Sequence, residues 1–307
     1  MLIESSYERM GTFFFAIDLP TIKETQMINF NTQLQELEKL PITALARAAR
    51  YGDGVFETIR MREGKLLFIE DHYFRLMASM RILRMAIPME FTPEFIVDQS
   101  LRLAEERGFE NGRLRLQIVR SGGGTYTPNS NTIDWWMELD PLETKDYVLN
   151  NVGLKVELFK DHYVQPGLLS TLKSSNALPY VLGSIYAQEN QFDAVLLVND
   201  AKRLVEANYG NVFLVQGDIL RTAPLEDGAL RGIFRKNVLD WAKEIGLEVQ
   251  EASINPFDLQ KADEVWITNT IRGIQWVEQY RKKTFGASKA KEMIDMINRK
   301  LNVLGAL

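Results

Sequence analysis

Leu172-Lys173-Ser174-Ser175-Asn176 and Val205-Glu206-Ala207-Asn208-Tyr209-Gly210-Asn211 are the two stretches on which the reading of this chain turns. Both consist of small and polar residues with little apolar periodicity, set among strongly apolar segments. Such a texture suits close approach of backbone and hydroxyls to a ligand. Lys173 is placed to act as a Schiff-base nucleophile, and Glu206 to partner a ring nitrogen, the two groups that a carbonyl cofactor such as pyridoxal phosphate requires. Most lysines and glutamates in a chain of this size are solvated surface groups, so the pair gains weight only from what surrounds it.

Between the two stretches the pattern predicts a helix from about Leu178 to Glu189 and a strand from Ala194 to Val198. Beyond them come a strand Asn211 to Val215 and a Gly217-Asp218 hairpin turn into Ile219 to Thr222. Gly228-Ala229-Leu230-Arg231-Gly232-Ile233 opens a helix that ends near Gly246, and a strand from Glu264 to Thr268 leads into a turn over Asn269 to Ile274. Upstream, residues 12 to 60 read as short strands and turns, ending in Tyr51-Gly52-Asp53-Gly54-Val55-Phe56-Glu57-Thr58-Ile59-Arg60, a glycine turn entering an alternating strand. A strand Lys65 to Ile69 then runs into a helix Glu70 to Arg84, with Tyr73, Leu76, Met80 and Leu83 on its apolar side.

A second helix spans Phe91 to Arg107, with Thr92-Pro93 at its start and Gly108 as its stop. Strands Arg113 to Arg120 and Ile133 to Leu139 flank a Ser121 to Tyr126 loop, and a further strand covers Leu154 to Phe159. The polar run after Asp140 is the best linker. It divides the chain into a small N-terminal domain, 1–140, a linker, 141–147, and a larger C-terminal domain, 148–307.

At 307 residues and 46% hydrophobic content the chain is long enough for two cores. A net charge of -5 offers no basic field to nucleic acid, and no segment has the length of a membrane span or the pattern of a signal peptide, so neither nucleic acid nor membrane is an expected partner. With no cysteine, thiolate chemistry and disulfides are excluded and a cytoplasmic location fits. His72 and His162 are too few for most zinc sites, and no metal is expected.

A phosphate would find donors at the helix after Gly228, where Gly232 and Ile233 present backbone N–H groups, and at the Thr270 hydroxyl. Arg75 would supply a bidentate cation, unless it is spent on Glu70 or Asp71 along its own helix. Gly122-Gly123-Gly124 matches no nucleotide loop and reads as a mobile surface or substrate-rim loop. Arg113 and Arg115 share a strand face that Arg120 does not, and one of the pair is a candidate for a substrate carboxylate.

Six ordered motifs from about Pro41 to Val277 give the chain a family resemblance: Tyr51 to Arg60, His72-Tyr73-Phe74-Arg75-Leu76, Leu172 to Asn176, Glu206 to Phe213, Gly228 to Ile233 and Thr268-Asn269-Thr270. It resembles the class IV, or fold-type IV, pyridoxal-phosphate enzymes, which include branched-chain aminotransferases, D-amino-acid aminotransferases and aminodeoxychorismate lyases. The resemblance implies an α/β (α+β) two-domain subunit, with a small N-terminal α/β domain and a larger C-terminal pseudo-barrel domain, in a homodimer. It implies an aminotransferase that moves an amino group between an amino acid and a 2-keto acid through a Lys173 aldimine, with pyruvate-releasing aminodeoxychorismate lyase as the alternative and a non-catalytic cofactor-binding homologue behind it.

By the same resemblance Lys173 holds the aldehyde and shuttles protons, Glu206 faces the pyridine nitrogen, and Arg75, Gly232, Ile233 and Thr270 take the phosphate, with Asn211 beside them. Phe56, Glu57, Arg115, Tyr126 and Arg272 are expected around the substrate. Phe234 stands where many relatives carry a threonine, which predicts one phosphate hydroxyl fewer. Ala177 replaces a tyrosine of the branched-chain enzymes, and Gly122 to Tyr126 lacks the Arg-x-His trap of the D-amino-acid enzymes. The Gly-Asp-Gly start, the Lys-x-x-Asn spacing and the Asn269 turn look closer to the lyases and general class IV transaminases.

Overall fold

A computed structural model describes residues 26–40 and 42–304, so the strands and turns expected over 12–25 lie outside the described residues. The first half forms β1 (Met27–Phe30), β2 (Gln33–Glu36), α1 (Ile42–Tyr51), β3 (Gly54–Arg62), β4 (Lys65–Leu66), α2 (Ile69–Ile82), α3 (Pro93–Arg107), β5 (Gly112–Arg120) and β6 (Ile133–Pro141). Helix α1 corrects the expectation of strands and turns up to Arg60. Its sequence, ITALARAARY, is dominated by alanine and arginine, both strong helix formers. The strand expected over Lys65 to Ile69 stops at Leu66, because Phe68 takes a left-handed conformation (φ 58°) and starts α2. Helix α3 follows its sequence signals: Thr92 accepts the Phe95 N–H and Gly108 closes the helix at φ 73°.

The six strands form one antiparallel sheet in the order β2-β1-β6-β5-β3-β4. On one of its faces Val55, Ile59 and Met61 of β3 and Leu114 and Leu116 of β5 pack against Leu76 and Met80 of α2 and Ile96 and Leu103 of α3. Residues alternate faces along a strand, so Glu57 joins Val55 and Ile59 on that helix-covered face, while Phe56, Thr58 and Arg60 point the other way.

The second half forms β7 (Leu154–Val164), α4 (Leu178–Glu189), β8 (Ala194–Asn199), β9 (Leu204–Ala207), β10 (Gly210–Gln216), β11 (Ile219–Thr222), α5 (Ile233–Trp241), β12 (Glu248–Glu251), β13 (Glu264–Asn269), β14 (Gly273–Tyr280), β15 (Lys283–Thr284) and α6 (Ser288–Leu304). Strand β7 runs beyond the expected Phe159. Helix α5 begins later than expected: Gly228 sits at φ 105° and Gly232 is extended, so residues 228–232 form an irregular approach to the helix. Its end near Gly246 is reached through a 3-10 turn, Ala242–Ile245.

The strands run β12-β11-β10-β13-β14-β7-β8-β9, and β9 pairs back onto β10 through Ala207↔Gly210 and Glu206↔Asn211. That last pairing closes β10-β13-β14-β7-β8-β9 into a pseudo-barrel. Val156, Leu158, Leu196, Val198, Leu214, Val265 and Ile267 belong to one apolar cluster, and a second cluster joins Phe213 and Trp266 to Phe234 and Val238 of α5 and Met293 and Ile297 of α6. Arg60 and Arg62 of β3 tie the first sheet to the second half. Arg60 donates to the carbonyls of Thr144, Asp146 and Ile271, and Arg62 pairs with Asp146 at 2.8 Å and donates to Asn302.

Candidate active site

Lys173 reaches its place by joining β3. Phe56 N–H donates to the Lys173 carbonyl at 2.8 Å and Ser175 N–H donates to the Gly54 carbonyl at 2.9 Å, a two-bond antiparallel graft on the start of the strand. Gly52 makes the graft possible, since a Cβ there would come within 2.2 Å of Asn176 Oδ1. The Lys173 ammonium lies 4.5 Å from the centroid of the Phe56 ring, and the Arg115 guanidinium lies 4.0 Å from the same centroid. Burial, reinforced by the positive fields of Arg75 and Arg115, pulls the lysine down to about 8, against the fields of Glu57 and Glu206. It is thus an amine that can lose its proton near neutral pH.

Glu206, on β9, is buried and has three donors: Tyr180 Oη–H on Oε1 at 2.6 Å, and Leu230 N–H at 3.1 Å and Asn211 Nδ2–H at 3.3 Å on Oε2. All three are neutral. Burial pushes the carboxyl up to about 7, and the Tyr180, Leu230 and Lys173 contributions only partly oppose it. Asn211 also donates to the Leu230 carbonyl and stands so close to Gly232 that a Cβ there would meet its Oδ1 at 2.0 Å. The approach to α5 is therefore moulded around Glu206 and Asn211.

Arg75 does not pair with Glu70 or Asp71. It spans Glu57 with two bonds of 2.8 and 2.5 Å and donates through Nη1 to the Arg231 carbonyl at 2.8 Å, immediately before Gly232 and Ile233. Guanidinium has five donors, so two remain, one of them on the Nη1 that meets the Arg231 carbonyl. Thr270, at the end of β13, donates to the Thr58 carbonyl at 2.8 Å. Residues from both halves of the chain thus converge at the start of α5.

The structure does not bring all the expected substrate residues together. Phe56 and Arg115 stand by Lys173. Glu57 is instead sealed against α2, where Arg75 and His72 overcome the effect of burial and hold its carboxyl down to about 2. Its face of β3 is opposite to that of Phe56. Tyr126 is 89% exposed and its ring packs 5.5 Å from Tyr51. It lines a cavity of about 520 Å³ with Ser174, Asn176 and Tyr180. The Ser121 to Tyr126 loop, expected to be mobile, is held by Arg47, which pairs with Asp53 and donates to the Gly123 and Thr125 carbonyls. Arg272 lies over the Tyr209 ring at 5.2 Å and donates to Gln275. Arg113 pairs with Asp140 and Arg120 with Asp53.

Tyr180 and His72 are the functional neighbours that sequence reasoning passed over. His72 lies within a quoted motif, but nothing in the chain points to Glu57 as its partner. Among the described residues no group of three His, Asp or Glu side chains is placed to hold a metal ion, and no helix is long and apolar enough to cross a membrane.

A family model described as amino-transferase class IV matches residues 54–280. The chain belongs to that family. With membership come transaminase activity and dependence on pyridoxal phosphate. D-alanine aminotransferase of Listeria monocytogenes is 29% identical over 251 residues, covering 78% of this class IV chain and 82% of the relative. Aminodeoxychorismate lyase of Vibrio harveyi is 25% identical over 241 residues, covering 74% and 83%. Among solved structures, the branched-chain aminotransferase of Thermoproteus uzoniensis with norvaline superposes with a TM-score of 0.80 at 22% identity, over 90% of this chain and 94% of that one. That likeness is one of fold, and it places the two-domain α/β architecture in fold-type IV.

Proposed function

We propose that this class IV amino-transferase works on amino acids and 2-keto acids with Lys173 as its catalytic amine and Arg115 as the group that takes a substrate carboxylate. The observation that carries the reading is the shared Phe56 ring, with Lys173 at 4.5 Å and Arg115 at 4.0 Å. Arg115 is half-buried, which lowers its pKa, and its hydrogen bond goes to the neutral Gln117. Arg113 and Arg120 have carboxylate partners at hydrogen-bond distance and Arg60 is taken up by backbone carbonyls, while Arg272, which also has no carboxylate partner, lies over the Tyr209 ring and donates to Gln275. Glu138, opposite Arg115 on β6, acts on it through its field and not through a hydrogen bond, so a bidentate carboxylate fits this guanidinium beside Lys173.

The residues fit the cofactor. Lys173 would hold its aldehyde carbon, Glu206 its ring nitrogen, with Asn211 fixing that carboxylate, and Arg75 and the Ile233 N–H its phosphate, joined by the Gly232 N–H and the Thr270 hydroxyl once these leave the Leu230 and Thr58 carbonyls. Bound there, pyridoxal phosphate supplies an aldehyde for amine capture and an electron-withdrawing ring. Lys173, with its depressed proton affinity, is suited to take the proton from the substrate Cα and deliver it to the carbon on the far side of the substrate nitrogen. Glu206, buried with no cation in contact, is suited to keep a proton on the ring nitrogen. Phe56 covers the lysine with an apolar face that keeps water from the amine.

We further place the domain boundary at residues 141–147, between the two sheets, and the enzyme in the cytoplasm as a homodimer. Leu178, Val181, Leu182 and Ile185 form an exposed apolar stripe at helical spacing on α4, with Leu168 and Leu169 also exposed. A second copy of the chain is the occupant that stripe suits.

The test is spectroscopic and chemical. Purified protein with pyridoxal phosphate should show the visible absorption of lysine-bound cofactor, and Lys173→Ala should abolish it; an unchanged band would remove Lys173 from the role. With leucine or D-alanine and no acceptor, a transaminase releases one equivalent of keto acid and stops. Continuous pyruvate release from aminodeoxychorismate would favour the lyase instead.

A further inference from the structure

Among the described residues the hydrogen-bond partners of the Glu206 carboxyl are all neutral, and one of them is attached to the segment that carries Lys173. Tyr180 stands in the first turn of α4, which starts at Leu178 just after the Lys173 graft. Its hydroxyl donates to Glu206 Oε1 at 2.6 Å, the shortest of the three bonds to that carboxylate and the only one to that oxygen. Tyr180 also lines the cavity of about 520 Å³ with Ser174, Asn176 and Pro179, while its Glu206 partner is buried.

We propose that Tyr180 is a positioning residue for the transamination, holding Glu206 ionised and oriented so that the proton of the pair stays on the cofactor's ring nitrogen. The inference rests on the assignment of Glu206 to that nitrogen and adds to it the device that sets how strongly the carboxylate competes for the proton. An O–H donor stabilises the carboxylate form over the carboxylic acid and so makes Glu206 the weaker base. The phenol itself stays protonated, since burial and the neighbouring Glu206 charge push its pKa well above the usual tyrosine range. The other charges acting on Glu206 are Lys173, from the grafted segment, and Arg235, from α5; from β10 and the approach to α5 it meets only the Asn211 amide and the Leu230 N–H. Without the Tyr180 hydroxyl, Oε1 loses its donor and the shared proton moves toward the glutamate.

The experiment uses holoenzyme loaded with pyridoxal phosphate labelled with ¹⁵N in the ring. In the wild type the ring-nitrogen resonance should sit at the protonated position through neutral pH. In Tyr180→Phe it should move toward the neutral-pyridine position, with kcat lowered about tenfold and KM for the amino donor within about twofold. An unmoved resonance, with or without loss of stability, would reduce Tyr180 to a packing residue and overturn the proposal. Should Tyr180→Phe not fold, 3-fluorotyrosine incorporated at position 180 supplies a more acidic, stronger donor. At neutral pH it should leave the ring-nitrogen resonance at least as close to the protonated position as in the wild type, and a move toward the neutral-pyridine position would overturn the proposal. A wild-type protein lacking lysine-bound cofactor absorption would sink the cofactor assignment itself, whereas a normal wild type with an indifferent variant sinks only the role of Tyr180.

Discussion

Glu57 and Glu206 are buried to the same degree, 1% and 2% exposed, yet their carboxyls move in opposite directions, to about 2 and to about 7. Glu57, on β3, faces Arg75 and His72 of α2, and the guanidinium overrides the cost of burial. Glu206, on β9, has a phenol, an amide and a backbone N–H, and burial wins. Burial sets how much an ionised carboxyl costs; the charge of its contacts decides whether that cost is recovered. Glu57 has given its charge to a neighbour in its own chain, while that of Glu206 remains available to a cation arriving from outside. Lys173 lies in the fields of both.

Removing that amine breaks the comparison most severely. Lys173→Ala should lower the transamination rate by on the order of 10³-fold or more, since it deletes a positioned proton carrier and the covalent anchor together. Steady-state kinetics with excess cofactor reads the loss, and a residual rate within tenfold of the wild type would mean that another base serves the site.

The two glutamates themselves should respond with opposite signs. Glu57→Gln leaves Arg75 buried without its counter-charge and should destabilise the cofactor-free protein by about 3–5 kcal/mol. Glu206→Gln removes a charge that is costly to bury and should stabilise the cofactor-free protein by about 1–3 kcal/mol at pH 8, while impairing catalysis. Urea unfolding of the two variants checks both; destabilisation of similar size in each would erase the distinction.

The pH dependence sharpens the same point. Glu57 is depressed in the folded state, so its contribution is present above the ordinary carboxylate range and is lost as pH falls toward 2. Glu206 is raised, so the folded state binds the proton more tightly, and stability declines as pH rises from about 4.5 to about 7. Wild-type minus Glu206→Gln stability, measured from pH 4.5 to 8 without cofactor, should therefore fall with rising pH. A flat difference would mean that Glu206 ionises normally.

Much of this was legible in the chain, and the failures share a cause. Helix α3 was readable because Thr92, Pro93 and Gly108 act through their own backbone. So was the Gly217-Asp218 turn, which pairs β10 with β11. Helix α1 was missed because its alanines and arginines carry propensity without a strong boundary signal. The start of α5 was misread because Gly228 serves a left-handed turn, and the chain between it and Gly232 is shaped by Asn211 of β10 and Glu206 of β9. At the site, Lys173, Glu206 and Arg75 came from motifs. Strand alternation already implied that Glu57 and Phe56 face apart, but which face holds the site depends on α2 and on the Lys173 graft. Tyr180 had no signal at all: it resembles any tyrosine in the first turn of a helix until its carboxylate partner is known.

Arg115 is the cationic counterpart of Glu206, a half-buried charge bonded to a neutral amide, and its neighbour Arg113 on the same strand supplies the control. Arg115→Lys keeps the charge but loses the planar stacking on Phe56 and the two-pronged grip on a carboxylate. KM for the amino donor should rise about tenfold, equivalent to about 1.4 kcal/mol of binding, with kcat within about threefold. Arg113→Lys should leave KM unchanged, because its partly exposed pairing with Asp140 contributes little and faces no substrate. If the two variants behave alike, Arg115 has no substrate partner, and the field of Glu138 and the packing against Phe56 account for its place. If only Arg115→Lys weakens binding, a half-buried charge with no carboxylate at hydrogen-bond distance marks the place of a ligand on the cationic side of this site, as buried Glu206 does on the anionic side.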